Sequence, residues 1–576
     1  MEKPDTVEHI EQHSSSDSEK VAAQPTYPVN EEDYKVTLKT WIVVTILASA
    51  YGVSFWIVPA IAVISTPVAT QLGDPTAGIW FTSLYTICNA IAFMICGANS
   101  DLFGRRWFLI MGNVLLFAGH LMCGLAKNGT TMIAGFAIIG FGAGNAQLAA
   151  FALPELLPNK WRHISITIAD LGTWVAVVVG PIAARYAIAG EPGTWRWLFH
   201  APTIGSFLSV ICLYFLYFPP QHPRGLPFKD ALKELDYIGG ALFILAGTLI
   251  LVGILYTQII PSSSPKVIGL LVSGFVALFG FIGYEHFAPN LKQPLTPTHI
   301  FTKDKGREFT FPFIVGFVVT MFYYMTNIVY PTQCAVFFLK ETSTIKESVL
   351  LSLPSNLGLV FGEILLMVFG TPLGHWKWTL TGSVAIMVVF GALLGLGDPS
   401  RKVMMMVFVF ISQMGFGWAQ MLSITFIQFG VPQVELGVSG GLAGVSRFAG
   451  GAIAISVYTT ILSNTLSSSM LRLIPAAVLP LGLPASSIPA LLAALPQGSA
   501  ALMKVPGIST TIAAAAGGAL QQAYVHALRT TALSSLSFGI IAIVSCALCN
   551  DIGKKMNEKI EVFLENDEFA DRNRFH

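Results

Sequence analysis

Three ionisable side chains stand in strongly apolar surroundings: Asp170, Glu363 and Arg447. On insertion scales a charge at bilayer depth costs at least about 2.5–3.5 kcal/mol, so each needs a partner, water or a task. Two carboxyls and a guanidinium can carry a proton and its counter-charge. They can equally be structural pairs that close a helix bundle. Glu363 falls in the middle of its apolar window and is the first proton-carrying candidate, with Arg447 as counter-charge. Asp170 lies only a few residues into its window, toward a membrane interface. Glu155, at the end of another window, reads as interfacial.

A second set of residues surrounds a turn, Gly97-Ala98-Asn99-Ser100-Asp101-Leu102-Phe103-Gly104-Arg105-Arg106. Gly104 permits the bend between two helices. Asp101 sits where a carboxylate can face a helix N-terminus or pair with an arginine, and Arg105 and Arg106 are placed to meet an anionic leaflet. Neutral groups within the apolar windows could line a central cavity: Asn327, Gln333, Asn356 and Gln420, with Tyr330 and Trp174 as apolar wall. Packing is the plain alternative for each. The stretch from Phe322 to Gln333 is the densest in aromatics and amides and includes Pro331.

Other chemistries find no support. There is no G-x-x-x-x-G-K-[ST] phosphate loop and no paired H-x-x-x-H box, and Asp304-Lys305-Gly306 lacks the context of a phosphorylated pump aspartate. Catalysis, a cofactor and a metal site are therefore not expected. The 7 cysteines all lie in apolar stretches and read as buried thiols, Cys546 and Cys549 included despite their C-x-x-C spacing. A net charge of +1 implies no nucleic-acid partner.

The elements that must position these residues follow from composition. Of 576 residues, 53% are hydrophobic and 11% charged, against roughly 25% charged in soluble domains; mean hydropathy is +0.65. The chain is an all-α polytopic membrane protein in a lipid bilayer. Fourteen apolar windows run from 41–64 to 529–549, with twelve as the alternative count. Lys and Arg concentrate in alternate short loops (Arg105 and Arg106; Lys160 and Arg162; Arg224, Lys229 and Lys233; Lys292, Lys303, Lys305 and Arg307), which puts both termini in the cytosol.

The expected organisation is a disordered cytosolic tail over 1–38, a six-helix bundle over 39–220, and two extra helices with a central loop over 221–308. A second six-helix bundle follows over 309–550 and a cytosolic tail over 551–576. No basic stretch precedes a short apolar core, so the first span is expected to act as an uncleaved signal anchor. Within the second bundle, 464–525 is rich in Pro, Ala and Ser; its prolines argue against one continuous helix and for an extracellular loop against the membrane. His120 and His200 are expected near outer and inner interfaces respectively.

The pattern G-x-x-x-D-x-x-G-R-R after the second window resembles the loop signature of the major facilitator superfamily. Gly370-Thr371-Pro372-Leu373-Gly374-His375-Trp376-Lys377, after the tenth window, resembles its degraded echo in the second half. Gly172, Gly180 and Pro181 in the fifth window resemble the superfamily's antiporter motif, with alanines at some glycine positions. In the fourth window Phe136 stands where many proton-coupled members carry arginine, and the first window has no acidic residue; both depart from the proton-coupled pattern. The stretches Val68–Asp74, Gly193–Phe199, Val445–Gly451 and Val505–Ile508 are similar to the fungal fourteen-span branch that includes trichothecene efflux pumps, with siderophore transporters nearby.

That resemblance implies two pseudo-symmetric six-helix bundles plus two inserted helices, alternating access about a midplane cavity, and a gating loop built on Gly97, Asp101, Gly104, Arg105 and Arg106. It implies proton-coupled export of a small hydrophobic toxin, drug or secondary metabolite across the plasma membrane, a vacuolar or vesicular membrane being the alternative, with no partner protein required. Two other functions stay open. Ferric-siderophore import predicts growth on a siderophore as sole iron source. A non-transporting receptor or partner subunit predicts partner co-purification without substrate flux.

Asn128-Gly129-Thr130 is a glycosylation sequon in a very short loop on the expected outer side. Asn128 should stay unmodified for lack of room; a glycosidase-sensitive gel shift that disappears in Asn128→Gln would refute this.

Overall fold

The computed structural model describes residues 35–220, 227–257, 259–288, 291, 293–340, 342–495 and 499–573. Most of the N-terminal tail, the loop residues Arg224 and Lys292, and Pro496 lie outside the described residues. Among the described residues fourteen helices are long and apolar enough to cross a membrane. They are α1 (Leu38–Gln71), α2 (Pro75–Phe103), α3 (Arg105–Gly124), α4 (Gly129–Glu155), α5 (Asn159–Ala189), α6 (Thr194–Leu216), α7 (Tyr237–Tyr256), α8 (Pro265–Phe287), α9 (Thr310–Phe338), α10 (Ile345–Leu373), α11 (Trp376–Leu396), α12 (Lys402–Phe429), α13 (Gln433–Leu481) and α14 (Thr510–Leu548).

Helices are the required solution here, because a lipid-exposed backbone must satisfy its own hydrogen bonds. Their starts carry local stop signals. Thr37 caps α1, Asn128 caps α4, Asp236 caps α7, and Thr344 with Glu347 forms a reciprocal capping box on α10. Large apolar side chains such as Phe279, Trp378 and Ile540 are more than half exposed on the outside of the bundle, as a lipid solvent demands.

The first six helices pack among themselves through α1–α5, α2–α4, α3–α4 and α3–α6; the last six do so through α9–α13, α10–α12, α11–α12 and α13–α14. Helices α7 and α8 pair with each other, and α7 touches α2 and α13 at the side. Two six-helix bundles thus meet along a seam made mainly by α2 against α13 and α5 against α10. We call the face where α1 starts and α14 ends the terminal face.

Several expectations need correction. The loop expected over 464–525 is shorter, because α13 continues through Pro475 and α14 starts at Thr510. A proline removes one backbone donor, and here the helix ends only a few residues later, at Val478. The extended ends are held by an apolar cluster of Ile474, Val478, Leu491, Val505, Ile512 and Ala516. His200 lies not at the opposite interface from His120 but at the same end, against Gly124, where a Cβ would come within 2.7 Å of the His200 ring. The reason is direction: α6 enters from the face at which α3 ends.

The C-terminal segment is an ordered strap across the terminal face. Its first part is held by the second bundle: Asn550 N–H donates to the Arg307 carbonyl (3.2 Å), Lys377 N–H to Asp551 (3.1 Å), and Lys555 Nζ to the Phe429 carbonyl (2.7 Å). Its second part is held by the first bundle. The N–H groups of Asn159 and Lys160 donate to the carbonyls of Lys559 (2.9 Å) and Asn557 (2.7 Å). Val562 N–H donates to the Glu155 carbonyl (3.1 Å), and the Thr37 hydroxyl to Asp567 (2.5 Å). Ile560 and Leu564 are buried beneath it. Partial burial opposes the Glu308 charge, but Lys303 at 2.7 Å and Lys555 at 3.4 Å outweigh it and hold the carboxyl below its usual range. That grip is complete above the ordinary carboxylate range and is lost as the pH falls below it, through the depressed value of the held carboxyl.

Leu564 is 1% exposed and belongs to the main core. Leu564→Ala should therefore lower stability by about 2–4 kcal/mol, read as a drop in the thermal transition of the purified protein. An unchanged transition would mean the strap is not anchored there.

Candidate functional site

The seam is closed at the terminal face by charge contacts that cross it. Asp101 lies in the last turn of α2, and its carboxylate accepts from the backbone N–H groups of Gly437 (2.8 Å) and Val438 (3.0 Å), the opening turn of the long regular part of α13. A carboxylate at a helix N-terminus meets unsatisfied donors and the positive end of the helix dipole together. Glycine makes the approach possible: a Cβ on Gly97 would lie 2.7 Å from the Gly437 carbonyl oxygen. Beyond Asp101, Gly104 turns the chain at φ 80°. Arg105 then points back inward, 2.6 Å from Glu155 and 3.5 Å from Asp101, while Gln433 Nε2 donates to Glu155 at 2.5 Å from the second bundle.

This corrects two expectations. Arg105 does not meet the leaflet, being only 6% exposed, and Glu155 is equally buried; each is the other's partner, which is what lets both leave water. Arg106 faces the other way, donating to the Tyr214 carbonyl (2.7 Å) with its guanidinium 3.9 Å from the Phe218 ring centroid. It ties α3 to α6.

The second half repeats the arrangement in weaker chemistry. Gly374, like Gly104, has positive φ (62°), and Thr371 stands three residues before it as Asp101 does before Gly104. Thr371 meets the first turn of α5 through His163, Oγ1 to Nε2 at 3.2 Å, and the His163 ring packs against Trp376 at 4.6 Å. One pseudo-twofold relation therefore covers both seams, α2 on α13 and α10 on α5.

Away from the terminal face the seam opens into a cavity of about 810 Å³ lined by α1, α2, α5, α7, α9, α10, α12 and α13. The lining runs from the middle of the spans, at Asp170, Glu363, Gln420 and Arg447, toward the face opposite the terminal one, at Val63 on α1 and Ser348 on α10. Its floor brings together Asp170, Glu363 and Arg447, the three charges singled out by sequence. Asp170 and Glu363 lie close enough to interact, and Arg447 faces both, together with the Tyr51 hydroxyl. Asp170 thus lies deep in the bundle rather than at an interface, because α5 begins well below it at Asn159. The two carboxyls face each other across the seam, one on α5 of the first bundle and one on α10 of the second.

The remaining candidates divide. Asn327, Tyr330, Asn356, Gln420 and Pro181 line the cavity. Among the described residues both amide atoms of Gln420 are buried without a partner, whereas Asn356 Nδ2 donates to the Val177 carbonyl (3.0 Å) and the Tyr330 hydroxyl to the Leu351 carbonyl (2.7 Å). Gln333 does not line it; its Nε2 donates to the Leu394 carbonyl at 2.6 Å, a brace between α9 and α11. Trp174 is also outside the lining, and its indole N–H donates to Glu363, so it positions the acid instead of forming a wall. Gly172 packs against Gly52 of α1, where a Cβ would come within 2.6 Å of the Gly52 Cα. Gly180, farther along α5, faces Ala60 and the Trp56 carbonyl of α1.

Phe136 fills its unusual place with an aromatic stack, 5.3 Å from Phe81 and 5.9 Å from Phe199. The Asn128 side chain accepts from Thr131 N–H at 2.8 Å as a helix cap. Sequence reasoning missed Tyr51, an aromatic in an apolar window with nothing to mark it. It also missed Arg185, whose signal was a basic residue one turn after Pro181.

Comparison with known proteins agrees with this architecture. The family described as "Fungal trichothecene efflux pump (TRI12)" matches residues 33–574. The MFS-type transporter prx5 of Penicillium rubens is 44% identical over 536 residues, covering 93% of this chain and 95% of that one. The trichothecene efflux pump TRI12 of Fusarium sporotrichioides is 24% identical, covering 87% and 84%, and that of Trichoderma arundinaceum is 26% identical, covering 82% and 79%. With a match that spans nearly its whole length and a relative of this identity, the chain belongs to the fungal trichothecene efflux pump family of MFS transporters.

Proposed function

We propose that this protein is a proton-coupled exporter of a small hydrophobic compound, working by alternating access in the plasma membrane with its terminal face in the cytosol. The observation that carries this reading is the cavity floor. Asp170 from one bundle and Glu363 and Arg447 from the other converge beneath a largely apolar space of about 810 Å³. Family membership favours efflux as the direction.

The coupling follows from where the proton sits. With a proton present, the two carboxyls bind across the seam at the cavity floor. Without it they become like charges that repel, and among the described residues Arg447 is the cation placed to compensate. Proton occupancy therefore changes the force between bundles, which a two-state rocking motion needs. The arrangement does without an arginine at Phe136, since the counter-charge comes from α13.

Two variants test the parts separately. Glu363→Gln keeps a hydrogen-bonding group but cannot release a proton. In proteoliposomes with an imposed pH gradient it should lower gradient-driven efflux at least tenfold while still binding compound; gradient-driven efflux at the wild-type rate would sink proton carriage by this pair. Asp101→Asn removes the charge at the start of α13 and should weaken terminal-face closure by about 0.5–2 kcal/mol. The readout is flux at equal membrane abundance, expected to fall several-fold; normal flux would undercut the latch. The same cells, given a lipophilic toxin panel and labelled ferric siderophores with and without a protonophore, distinguish export from import.

A further inference from the structure

The cavity holds a second cation that the proton-carrying group leaves unused. Arg185 lies on α5, fifteen residues beyond Asp170, about 22 Å farther along the helix and four residues before its end at Ala189. It lines the cavity among neutral side chains: Asn327, Tyr330, Cys334, Ser348 and Ser352. Among the described residues its hydrogen bonds leave from Nη1 alone, to the Pro181 carbonyl at 3.4 Å and the Ser352 hydroxyl at 3.5 Å. Both lie beyond the usual range for such bonds. Ser352 meanwhile spends its own hydroxyl hydrogen on the Val349 carbonyl (2.9 Å).

Three other arginines of the bundles are better provided for. Arg105 has Asp101 and Glu155, Arg447 faces Asp170 and Glu363, and Arg196 donates to the Gly124 carbonyl at 2.8 Å. The two carboxyls that line the cavity are those facing Arg447. Arg185 therefore presents a guanidinium with five N–H donors to a largely apolar space, with no carboxylate among the described residues to meet it. Keeping a charge there has a cost that an anionic ligand would offset, and the planar fork of arginine fits a carboxylate through two parallel bonds.

We propose that Arg185 is the anion-recognising point of this cavity, and that the transported compound is a lipophilic acid, one carboxylate on a hydrophobic skeleton. The proposal rests on the reading of this cavity as the transport site. Ser348, one turn from Ser352 on α10 and also in the lining, supplies a further hydroxyl, and the apolar body of the ligand lies along the cavity toward the Asp170–Glu363 floor. A neutral compound of the same skeleton gains the apolar contacts but leaves Arg185 unanswered.

The test uses dansylaminoundecanoic acid and its methyl ester, whose emission rises in an apolar site, titrated against the purified full-length protein. Wild type should bind the acid at least tenfold more tightly than the ester. Arg185→Gln should abolish that preference with ester affinity unchanged, which also shows that the cavity is intact; Arg185→Lys, a charge without the fork, should keep part of it. Equal affinity of acid and ester in wild type, or an acid preference that survives Arg185→Gln, would overturn the proposal. A parallel flux arm separates the two readings. Acid preference lost in Arg185→Gln but no flux of any compound would support the anion site and defeat export, whereas export of neutral compounds without acid preference would defeat the anion site alone.

Discussion

The interaction on which the rest of the molecule depends is the capture of the α13 N-terminus by the Asp101 carboxylate. A helix start buried at a seam leaves donors that no intrahelical carbonyl can reach. A carboxylate buried at the same depth has no water. Each is the other's remedy, and because one belongs to the first bundle and the other to the second, neither bundle is satisfied alone. Arg105, Glu155 and Gln433 extend the same rule to a buried network in which every charge has its partner in view. Closing the terminal face thus joins apolar packing across the seam, such as Phe93 against Phe448, to a few directed contacts that fix how the two bundles meet.

The internal repeat gives this closure a second, softer site. Where α2 offers a carboxylate to α13, α10 offers the Thr371 hydroxyl to His163 of α5. The backbone is the same on both sides, down to a positive-φ glycine three residues on. The chemistry is unequal: a charge-assisted pair of bonds on one side, a neutral bond and a ring contact on the other. The seam is therefore held asymmetrically although its scaffold is symmetric.

Much of this was legible in the sequence. Fourteen spans could be counted because a membrane span has a fixed minimum length and no other way to satisfy its backbone. Asp101, Asp170, Glu363 and Arg447 stood out because charge is rare and costly in that setting. Legibility failed where residues act through tertiary approach. Trp174 reads as an apolar wall but serves Glu363, and Gln333 reads as a cavity amide but braces α9 against α11. Arg105 carried the positive-loop signature and turned inward, because the Glu155 that receives it lies fifty residues away. Pro475 illustrates the opposite failure: a local rule predicted a break, and packing against the end of α14 overrode it. The strap was unreadable because its polar sequence gives no sign that the terminal face offers it matching carbonyls and donors.

The strap also sets an order of events during manufacture. Residues 556–573 are the last described part of the chain and follow every membrane helix. All fourteen helices are therefore synthesised before the segment that ties them together. Until residues 556–573 are made, the two bundles are joined only by their own seam contacts, and the belt across them is missing. The helices are thus born unbuckled, and they acquire this fastening only after the last of them is complete.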